Sequence, residues 1–525
     1  MAENSLALDG SWLRRPPILD HFQETMTRLR GQRTSKTTSL TFIFLCFGVL
    51  LSVRWCFQQA YMKGSASLEV IPATKGHRET LKKNRVQLKC PVGDKLPTCL
   101  KNYTARSGIG DSPWREEECP GYFRWIHEDL KPWKGGGISR EVVESAKDGA
   151  SFRLVIVGGR AYIEKYHDAF QTRDVFTIWG ILQLLRLYPG RLPDLDLMFR
   201  CGDTQVVKKS DYNGSNAKPP PPMFGYCRND ETLTIVFPDW SFWGWPEIHI
   251  KPWESLIEEL EEGNKKSMWI EREPYAYWKG NIYTNAQRER LLQCHPTDKQ
   301  DWNVRIYNVD WQHAHHQGYK DTNLAAQCAH RYKIYVEGVT WSVSKKYILA
   351  CDSLSLFMKP YYYDFFSRTL LPLIHYWPIN ERDECKSLKF AVDWGNNHIR
   401  KAQEIGRSGS NFIQEKLKMI YVYDYMFHLL NEYAKLLKYK PTVPPGAVEV
   451  CLETMACTRK VNLEKMYMVE SMVEGPADAA PCNLPPPYDA LDLRSFLKRK
   501  EALIKQVEVW EEIGNIGEEI FYKPK

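Results

Sequence analysis

Short apolar and polar blocks alternate along most of the chain in an order that predicts strands followed by helices. From about residue 119, continuous apolar runs typical of buried strands alternate with stretches in which apolar residues recur at helical spacing. This alternation predicts parallel sheets whose faces are covered by helices. The predicted strands are residues 152–157, 195–200, 233–237, 304–308, 332–336 and 373–377, and the predicted helices are residues 175–187, 252–263, 286–293, 343–358 and 398–437.

The number and spread of these strands favour two Rossmann-like α/β domains facing a cleft over one continuous sheet. We place the first at residues 116–250 and the second at residues 251–440. A C-terminal extension, residues 441–525, follows a proline-rich break and ends in an amphipathic helix near residues 493–510. We expect that helix to pack on the body of the protein or on a partner.

An apolar run at residues 37–57 predicts a single transmembrane signal anchor. Its first part, residues 37–53, carries no charge, and four basic residues precede it closely, namely Arg28, Arg30, Arg33 and Lys36. The positive-inside rule then places residues 1–36 in the cytosol and the rest of the chain in the lumen of the secretory pathway. Residues 58–115, polar and basic, are expected to form a stem.

The cysteines and sequons agree with a luminal body. Twelve of the 14 cysteines lie beyond the predicted span, and in an oxidising compartment disulfides are the expected state. Plausible bridges are Cys328–Cys351 and a local pairing within the group Cys90, Cys99 and Cys119. Glycosylation sequons begin at Asn102 and Asn213. The net charge of +7 is small for 525 residues and argues against a nucleic-acid partner.

The most informative segment is residues 328–357. It predicts a buried strand, a tight turn at Glu337-Gly338, and a helix starting near Ser342. Open α/β sheets use a strand, a glycine turn and a helix N-terminus to hold phosphates. The segment is therefore a candidate nucleotide-binding loop, and the alternative is an ordinary βα unit without a ligand.

Three other groups of residues are candidates for a site. Asp203 ends the predicted strand 195–200, where a carboxylate could accept a proton, although it could instead stabilise a turn. Lys279 and Arg288 lie near a predicted strand-loop-helix junction and could neutralise a diphosphate, or be solvated. The aromatic segment 237–246 predicts a cleft wall more than a core segment, and its candidate residues are Trp240, Phe242 and Trp243.

Two segments that resemble metal sites favour other roles. Asp194-Leu-Asp196 has the form of a metal-binding acidic pair, but we expect it to cap a loop. The histidines from His313 to His316 lack carboxylate or cysteine partners at helix spacing, and we expect a solvated segment. No metal site is predicted.

Several motifs, in order from about Cys119 to Lys440, resemble glycosyltransferase family 90, the Rumi-type protein O-glucosyltransferases, in a plant-type form. The motifs are Leu192-Pro-Asp-Leu-Asp-Leu, Cys-Gly-Asp203, Pro238-Asp-Trp-Ser-Phe-Trp-Gly, Tyr277-Trp-Lys-Gly280, the unit from Tyr332 to Cys351, and His375-Tyr-Trp-Pro378.

The resemblance implies a GT-B fold and an inverting transfer from a UDP-sugar that needs no metal or other cofactor. It places the catalytic base on Asp203 and a disulfide on Cys328 and Cys351. Trp243 or Gly244 is a weaker match to a donor contact. The donor-binding positions that it implies are Asn281, Arg288, Val339, Thr340, Trp341, Ser342, Val343 and Ser344. Relatives in animals carry an arginine near the position of Ser344, where this chain continues with Lys345 and Lys346.

Together these features predict a type II membrane glycosyltransferase of the Golgi with a luminal catalytic body, and the endoplasmic reticulum is the alternative compartment. The expected donor is a UDP-sugar, with glucose or xylose as the sugar, and the expected acceptor is a hydroxyl of a protein or glycan. The alternatives are a cell-wall polysaccharide pentosyltransferase of the same fold and a non-catalytic glycan-binding relative.

Overall fold

The computed structural model describes residues 88–91, 97–99, 115, 117–214, 218–459 and 462–521, with side chains described to residue 514. All of them lie within the compact unit Lys83–Lys525. The predicted anchor at residues 37–57, the cytosolic tail before it and the sequon at Asn102 lie outside the described residues. Within the described part of the chain, no helix combines the length and the apolarity that crossing a membrane requires.

The strands form two separate sheets, one in each half of the body. In chain order they are β1 Phe152–Val157, β2 Arg160–Lys165, β3 Leu195–Phe199, β4 Met223–Gly225, β5 Ile235–Val236, β6 Glu273–Gly280, β7 Val304–Asn308, β8 His330–Tyr335, β9 Leu354–Met358, β10 Trp377–Ile379 and β11 Val448–Val450.

The α-helices cover these sheets and connect their strands. In chain order they are α1 Trp125–Asp129, α2 Lys131–Lys134, α3 Arg140–Glu144, α4 Arg173–Leu187, α5 Trp253–Lys265, α6 Ala286–Leu292, α7 Trp311–His316, α8 Ser344–Ala350, α9 Glu384–Asn397, α10 Ile399–Lys416, α11 Met419–Ala434, α12 Leu452–Ala456, α13 Leu463–Glu470 and α14 Ala490–Phe521.

The sheet of the first half is mixed, with strand order β11-β2-β1-β3-β4-β5. The expectation of a parallel sheet is wrong for β1, which pairs antiparallel with both β2 and β3. The reason is a hairpin: Gly158 and Gly159 both adopt positive φ, at 57° and 74°, and fold the chain back after β1. Strands β3, β4 and β5 are parallel, so Asp203 after β3 and Asp239 after β5 emerge at the same edge.

The sheet of the second half is parallel throughout, with strand order β10-β9-β8-β6-β7. The predicted parallel sheet with crossover helices is confirmed here. The predicted helix at residues 343–358 is wrong in its second part, which is strand β9. All five residues of β9 are buried, and such a continuous apolar run has the same pattern in a buried strand as in a buried helix. The strand predicted at residues 373–377 is observed instead at Trp377–Ile379.

The chain returns to the first half after α10. The predicted helix 398–437 is two helices, and the second of them, α11, packs on β3 and α4. Helix α11 is apolar on most of its surface, with eleven of its residues buried, so it needs neighbours on several sides. Strand β11 then pairs antiparallel with β2. Part of the region that the sequence assigned to a C-terminal extension is therefore an integral part of the first sheet.

Disulfides tie this returning segment to residues before the first sheet. The bridges are Cys90–Cys457, Cys99–Cys451 and Cys119–Cys482. The predicted local pairing among Cys90, Cys99 and Cys119 is wrong, because each pairs with a cysteine more than 350 positions away.

The C-terminal helix α14 packs on both halves. Near its start, Phe496 stacks on Tyr488, whose ring lies 5.4 Å from that of Trp125 in the first half. Near its end, Trp510 lies 6.0 Å from Trp377 and 5.9 Å from Trp394 in the second half. The prediction that this amphipathic helix packs on the body is confirmed.

Candidate active site

The second sheet has a topological switch point between β6 and β8. Strand β6 is the first of the sheet in chain order, and it pairs with β7 on one side and β8 on the other. The connection after β6 therefore runs towards β7, whereas the connection after β8 runs the opposite way, towards β9. This divergence opens a crevice at the carboxyl ends of β6 and β8. In open α/β sheets ligands bind in this crevice, so the loops after β6 and β8 form the candidate site.

Arg288 of α6 spans this crevice. It comes from the β6 side, and its Nε donates to the Glu337 carbonyl after β8 at 2.7 Å. Its Nη1 donates to the Asn281 carbonyl at 2.9 Å and to Thr284 Oγ1 at 3.2 Å. The helix start that carries Arg288 is capped by Asn285, whose Oδ1 accepts from the Arg288 amide at 2.9 Å.

The charge of Arg288 is buried without a carboxylate partner among the described residues. The side chain is only 9% exposed, and its described hydrogen-bond acceptors are two carbonyls and a hydroxyl. Burial lowers the pKa of Arg288 to about 10, which still leaves it charged at neutral pH. A buried cation without a counter-ion, held at a switch point, is suited to an anionic ligand such as a phosphate group.

The predicted donor loop, residues 339–344, lies beside Arg288. A methyl group at Gly338 would stand 3.7 Å from Arg288 Nη2, so the chain passes directly along the guanidinium. Val339 is exposed, whereas Thr340 and Trp341 are buried. Ser342 Oγ and Ser344 Oγ lie 2.8 Å apart and Val343 precedes α8. The structure thus brings together Asn281, Arg288 and the loop, as the resemblance implied.

A disulfide closes this unit. Cys328 precedes β8, Cys351 follows α8, and the two form a bridge with a Cα–Cα separation of 5.1 Å. The predicted pair is confirmed. The remaining disulfide in the second half, Cys294–Cys385, connects the end of α6 to α9. Cys201 and Cys227 are free and buried.

The two lysines after the loop do not face the crevice. Lys345 is 2% exposed and its Nζ lies 3.2 Å from Asp364 Oδ2. Lys346 is 1% exposed and bonds to Ser241 Oγ at 2.8 Å and to Asp239. Neither lysine is therefore available to neutralise a diphosphate, because both have buried carboxylate partners. Lys346 instead connects the second half to the segment after β5.

Asp203 lies where the sequence placed it, just past the carboxyl end of β3. Its side chain is 34% exposed. Its main-chain carbonyl accepts a hydrogen bond from Thr340 Oγ1 of the donor loop at 2.9 Å. Within the donor segment, Glu337 contacts Arg288 and Thr340 contacts Asp203. These two contacts are therefore only three residues apart in the chain. The candidate base and the buried cation thus lie on opposite sides of one short loop.

Arg173 is a site residue that the sequence did not reveal. Its Nη1 donates to Asp203 Oδ1 at 2.7 Å and its Nη2 to Oδ2 at 3.4 Å. The guanidinium lies 4.4 Å from the centre of the Trp240 ring. The only signal in the sequence is a charged residue at the start of a mostly apolar helix, α4. The fork holds the carboxylate of Asp203 in one orientation.

The aromatic segment after β5 is core, not an open wall. Trp240, Phe242 and Trp243 are 1%, 0% and 0% exposed. Trp243 packs its ring over Gly180, where even an added methyl group would clash with the ring, and its indole donates to the hydroxyl of Tyr423 at 2.9 Å. The prediction that these three residues line the cleft is corrected, because they are buried among other side chains. Trp240 contacts the site from behind, through Arg173 and through Trp341 of the donor loop, whose ring lies 6.2 Å from its own.

The acidic pair near β3 has structural partners. Asp196 is buried and accepts two hydrogen bonds from Arg153, at 2.7 and 2.6 Å. Asp194 accepts from the Gly158 amide at 2.8 Å, as expected of a loop cap. Among the described residues, the one group with metal-ligand geometry is Cys119, His428 and Cys482, and its two cysteines form a disulfide. His313, His315 and His316 are exposed on α7.

The comparisons with known proteins agree with this geometry. The model of the family "Glycosyl transferase family 90" matches residues 114–511. O-glucosyltransferase rumi of Drosophila melanogaster is 25% identical over 342 residues, which cover 62% of this chain and 79% of that protein. Protein O-glucosyltransferase 1 of Homo sapiens is 26% identical over 369 residues, which cover 67% of this chain and 88% of that protein. The chain therefore belongs to glycosyl transferase family 90 and is a glycosyltransferase.

Proposed function

We propose that this protein transfers a sugar from a UDP-sugar to a hydroxyl group of a protein or glycan, with inversion at the anomeric carbon. The observation that carries the proposal is the arrangement around residues 337–340. Arg288 bonds to the carbonyl of Glu337 at one end of this segment, and Thr340 bonds to the carbonyl of Asp203 at the other. From this arrangement we infer that a cation for the leaving group and a carboxylate for the nucleophile serve one cleft of a GT-B-like pair of α/β halves.

Asp203 acts as the general base in this proposal. Its carboxylate takes the proton of the acceptor hydroxyl while the oxygen attacks the anomeric carbon from the face opposite UDP. The new bond joins that oxygen to the anomeric carbon, and the bond from this carbon to the phosphate oxygen breaks. Arg173 holds the carboxylate through two hydrogen bonds, which supports a fixed orientation during proton transfer.

Arg288 and the donor loop receive the diphosphate. When the glycosidic bond to phosphate breaks, negative charge grows on the leaving oxygen, and a preorganised cation stabilises it most effectively where water is scarce. Arg288 is buried and already held by three acceptors, so little reorganisation is needed. Residues Asn281 and Val339 to Ser344 surround this position and are the proposed donor contacts.

The proposed reaction uses no metal ion. The charge that a divalent cation would supply comes from Arg288, and the acidic pair Asp194 and Asp196 is engaged with the Gly158 amide and with Arg153.

We also propose that residues 37–57 anchor the protein in the Golgi membrane with its body in the lumen. Five disulfides among the described residues support an oxidising compartment. Asn213, the start of a sequon, is exposed.

The sugar and the acceptor are proposals of the same kind. The relatives are named as protein O-glucosyltransferases, which supports glucose as a donor sugar and a protein hydroxyl as an acceptor. Xylose is the second candidate, because glucose and xylose differ by one hydroxymethyl group that only the shape of the pocket can distinguish.

The test is UDP release by the full-length protein. UDP-glucose, UDP-xylose, UDP-arabinose and UDP-galactose would each be offered with and without acceptors. The proposal predicts release of UDP from at least one of them, reduced in parallel by Asp203→Asn and Arg288→Met. If the parent protein releases UDP from none of them, hydrolysis by water included, the proposed function is wrong.

A further inference from the structure

The side chain of Glu337 makes a connection that the proposed mechanism does not use. Glu337 follows β8 and is only 3% exposed. Its Oε1 accepts a hydrogen bond from the Tyr362 amide at 2.8 Å, and its Oε2 accepts one from the Tyr361 amide at 3.1 Å. One carboxyl group therefore ties the segment after β9 to the end of β8.

The main-chain carbonyl of the same residue is a partner of Arg288. It accepts a hydrogen bond from Arg288 Nε at 2.7 Å and another from Asn285 Nδ2 at 3.2 Å. The carbonyl and the side chain of Glu337 are attached to one Cα, so a rotation of this residue would displace both. The two amides that hold the side chain therefore also help to hold the carbonyl that orients the guanidinium.

The segment that Glu337 holds is itself attached to the first half of the body. The Tyr363 amide donates to the carbonyl of Arg228, which follows β4, at 2.9 Å, and the Arg228 amide donates back to the Tyr363 carbonyl at 3.1 Å. The loop that begins at Glu337 is held again by Thr340, which bonds to the Asp203 carbonyl. Two connections to the first half thus define the position of this loop.

The Glu337 carboxyl group is buried, and its hydrogen-bond donors among the described residues are the two main-chain amides. Burial raises its pKa to about 7. Lys345 lowers this pKa and Asp364 raises it, and these two groups lie 3.2 Å apart, so their effects oppose each other. Three further titratable groups lie within electrostatic reach, and burial raises the pKa of each, which leaves them neutral near pH 7. They are the hydroxyls of Tyr335 and Tyr362 and the thiol of Cys227.

The two amide bonds are strongest when Glu337 is ionised. A carboxylate accepts hydrogen bonds at both oxygens, whereas a protonated carboxyl group carries a donor on one of them. Protonation therefore weakens one of the two bonds and removes the charge that strengthens both. Glutamine has the same limitation, because its NH₂ group cannot accept a hydrogen bond from an amide. Glu337→Gln is thus a permanent copy of the protonated form.

We propose that Glu337 is a positioning residue for donor binding: its ionised side chain holds residues 361 and 362 against the donor loop and keeps its own carbonyl on Arg288. The proposal rests on the proposed function, since it requires that Arg288 binds the diphosphate of the donor. It adds that the affinity for the diphosphate depends on the charge of Glu337. Donor binding therefore weakens as the pH falls through neutrality.

The experiment compares the parent protein with Glu337→Gln by isothermal titration calorimetry of the full-length chains. At about pH 8.5 the variant should bind UDP about tenfold more weakly, and at about pH 5.5, where the parent is also protonated, less than about twofold more weakly. The terminal phosphate of UDP itself titrates near about pH 6. The quantity compared is therefore the ratio of the two Kd values at one pH, in which the titration of free UDP cancels. Uridine has no diphosphate, and its ratio should stay below about threefold at both pH values.

The matched control is Glu511→Gln. Glu511 is also buried in the second half, and its pKa is also raised by burial. Its partners are Ser387 of α9 and Asn380 after β10, not the donor loop, so neither ratio should change. If Glu337→Gln does not fold, Glu337→Asp replaces it: one methylene shorter, it cannot reach both amides and should bind UDP about tenfold more weakly at about pH 8.5.

Four results would overturn the proposal. A UDP ratio that is the same at both pH values would show that the charge of Glu337 has no part in binding. An equal loss for UDP and uridine would mean that Glu337 only supports the pocket. Parental UDP affinity in Glu337→Gln, or in Glu337→Asp where that variant is used, would refute the inference and leave the proposed function intact. If UDP does not bind the parent protein at all, the proposed function fails as well.

Discussion

Replacing Arg288 by Met should weaken the binding of UDP far more than the binding of uridine. Burial lowers the pKa of Arg288 from its ordinary value to about 10, so the folded protein already bears a desolvation cost of about 3 kcal/mol for this charge. A negative charge of a bound diphosphate at about 4 Å would gain about 4 kcal/mol from Arg288 at an effective dielectric constant of about 20. Folding, and not ligand binding, removes water from Arg288. Most of the attraction between Arg288 and the diphosphate therefore adds to the affinity for UDP.

The variant should therefore bind UDP about 10²–10³-fold more weakly than the parent protein. Uridine has no diphosphate, so its affinity should change less than about threefold. Isothermal titration calorimetry of the full-length protein measures both. The matched control is Arg272→Met, since Arg272 is also buried and its pKa is also lowered by burial. Arg272 immediately precedes β6, so it lies at the opposite edge of the sheet.

Two outcomes would refute this reasoning. If Arg288→Met weakens the binding of UDP and the binding of uridine by the same factor, Arg288 shapes the pocket and does not bind the diphosphate. If Arg272→Met weakens the binding of UDP as strongly as Arg288→Met does, loss of any buried charge in this half affects the site through folding. The assignment of Arg288 to the diphosphate then fails.

Three further predictions concern orientation, charge and metal. Arg173→Lys keeps a positive charge but not the fork, so kcat should fall about tenfold while the KM for the UDP-sugar stays near its parental value; an equal change in both would indicate a structural effect. Lys333 is buried against Cys351 Sγ, and burial lowers its pKa from 10.5 to about 7. The unfolded state therefore binds more protons between these values, and the free energy of unfolding should rise with pH by up to about 1.4 kcal/mol per unit. Urea denaturation should show this rise in the parent and not in Lys333→Met. Sugar transfer should continue in excess EDTA, and a loss that Mg²⁺ or Mn²⁺ restores would contradict the role given to Arg288.

The site in the second half could be predicted because its signals are local. The strand, the turn and the helix of the β8–α8 unit follow one another in the chain, and Cys328 and Cys351 flank them. Arg288 is also local, since it follows β6 within one short connection. Such features depend on neighbouring residues, whose patterns are visible in the sequence.

The features that the sequence did not reveal depend on distant contacts. The salt bridge between Arg173 and Asp203 joins residues 30 positions apart, and nothing in either segment specifies the other. Cys119 bonds to Cys482, a pairing that spacing cannot distinguish from the local alternatives. The aromatic segment 237–246 was ambiguous for a different reason, because a stacking surface and an aromatic core have the same composition and differ only in what covers them.

The most direct test of the central claim is to compare Asp203→Asn with the parent protein in a single preparation of UDP-sugar and acceptor. Asp203 lies past the carboxyl end of a strand and its side chain is 34% exposed, so the substitution should preserve the fold, with a lower melting temperature because the buried Arg173 loses its carboxylate partner. The account predicts that UDP binds with its parental Kd while sugar transfer falls by about 10²–10⁴-fold, the usual contribution of a general base. Transfer by Asp203→Asn at the parental rate would contradict it.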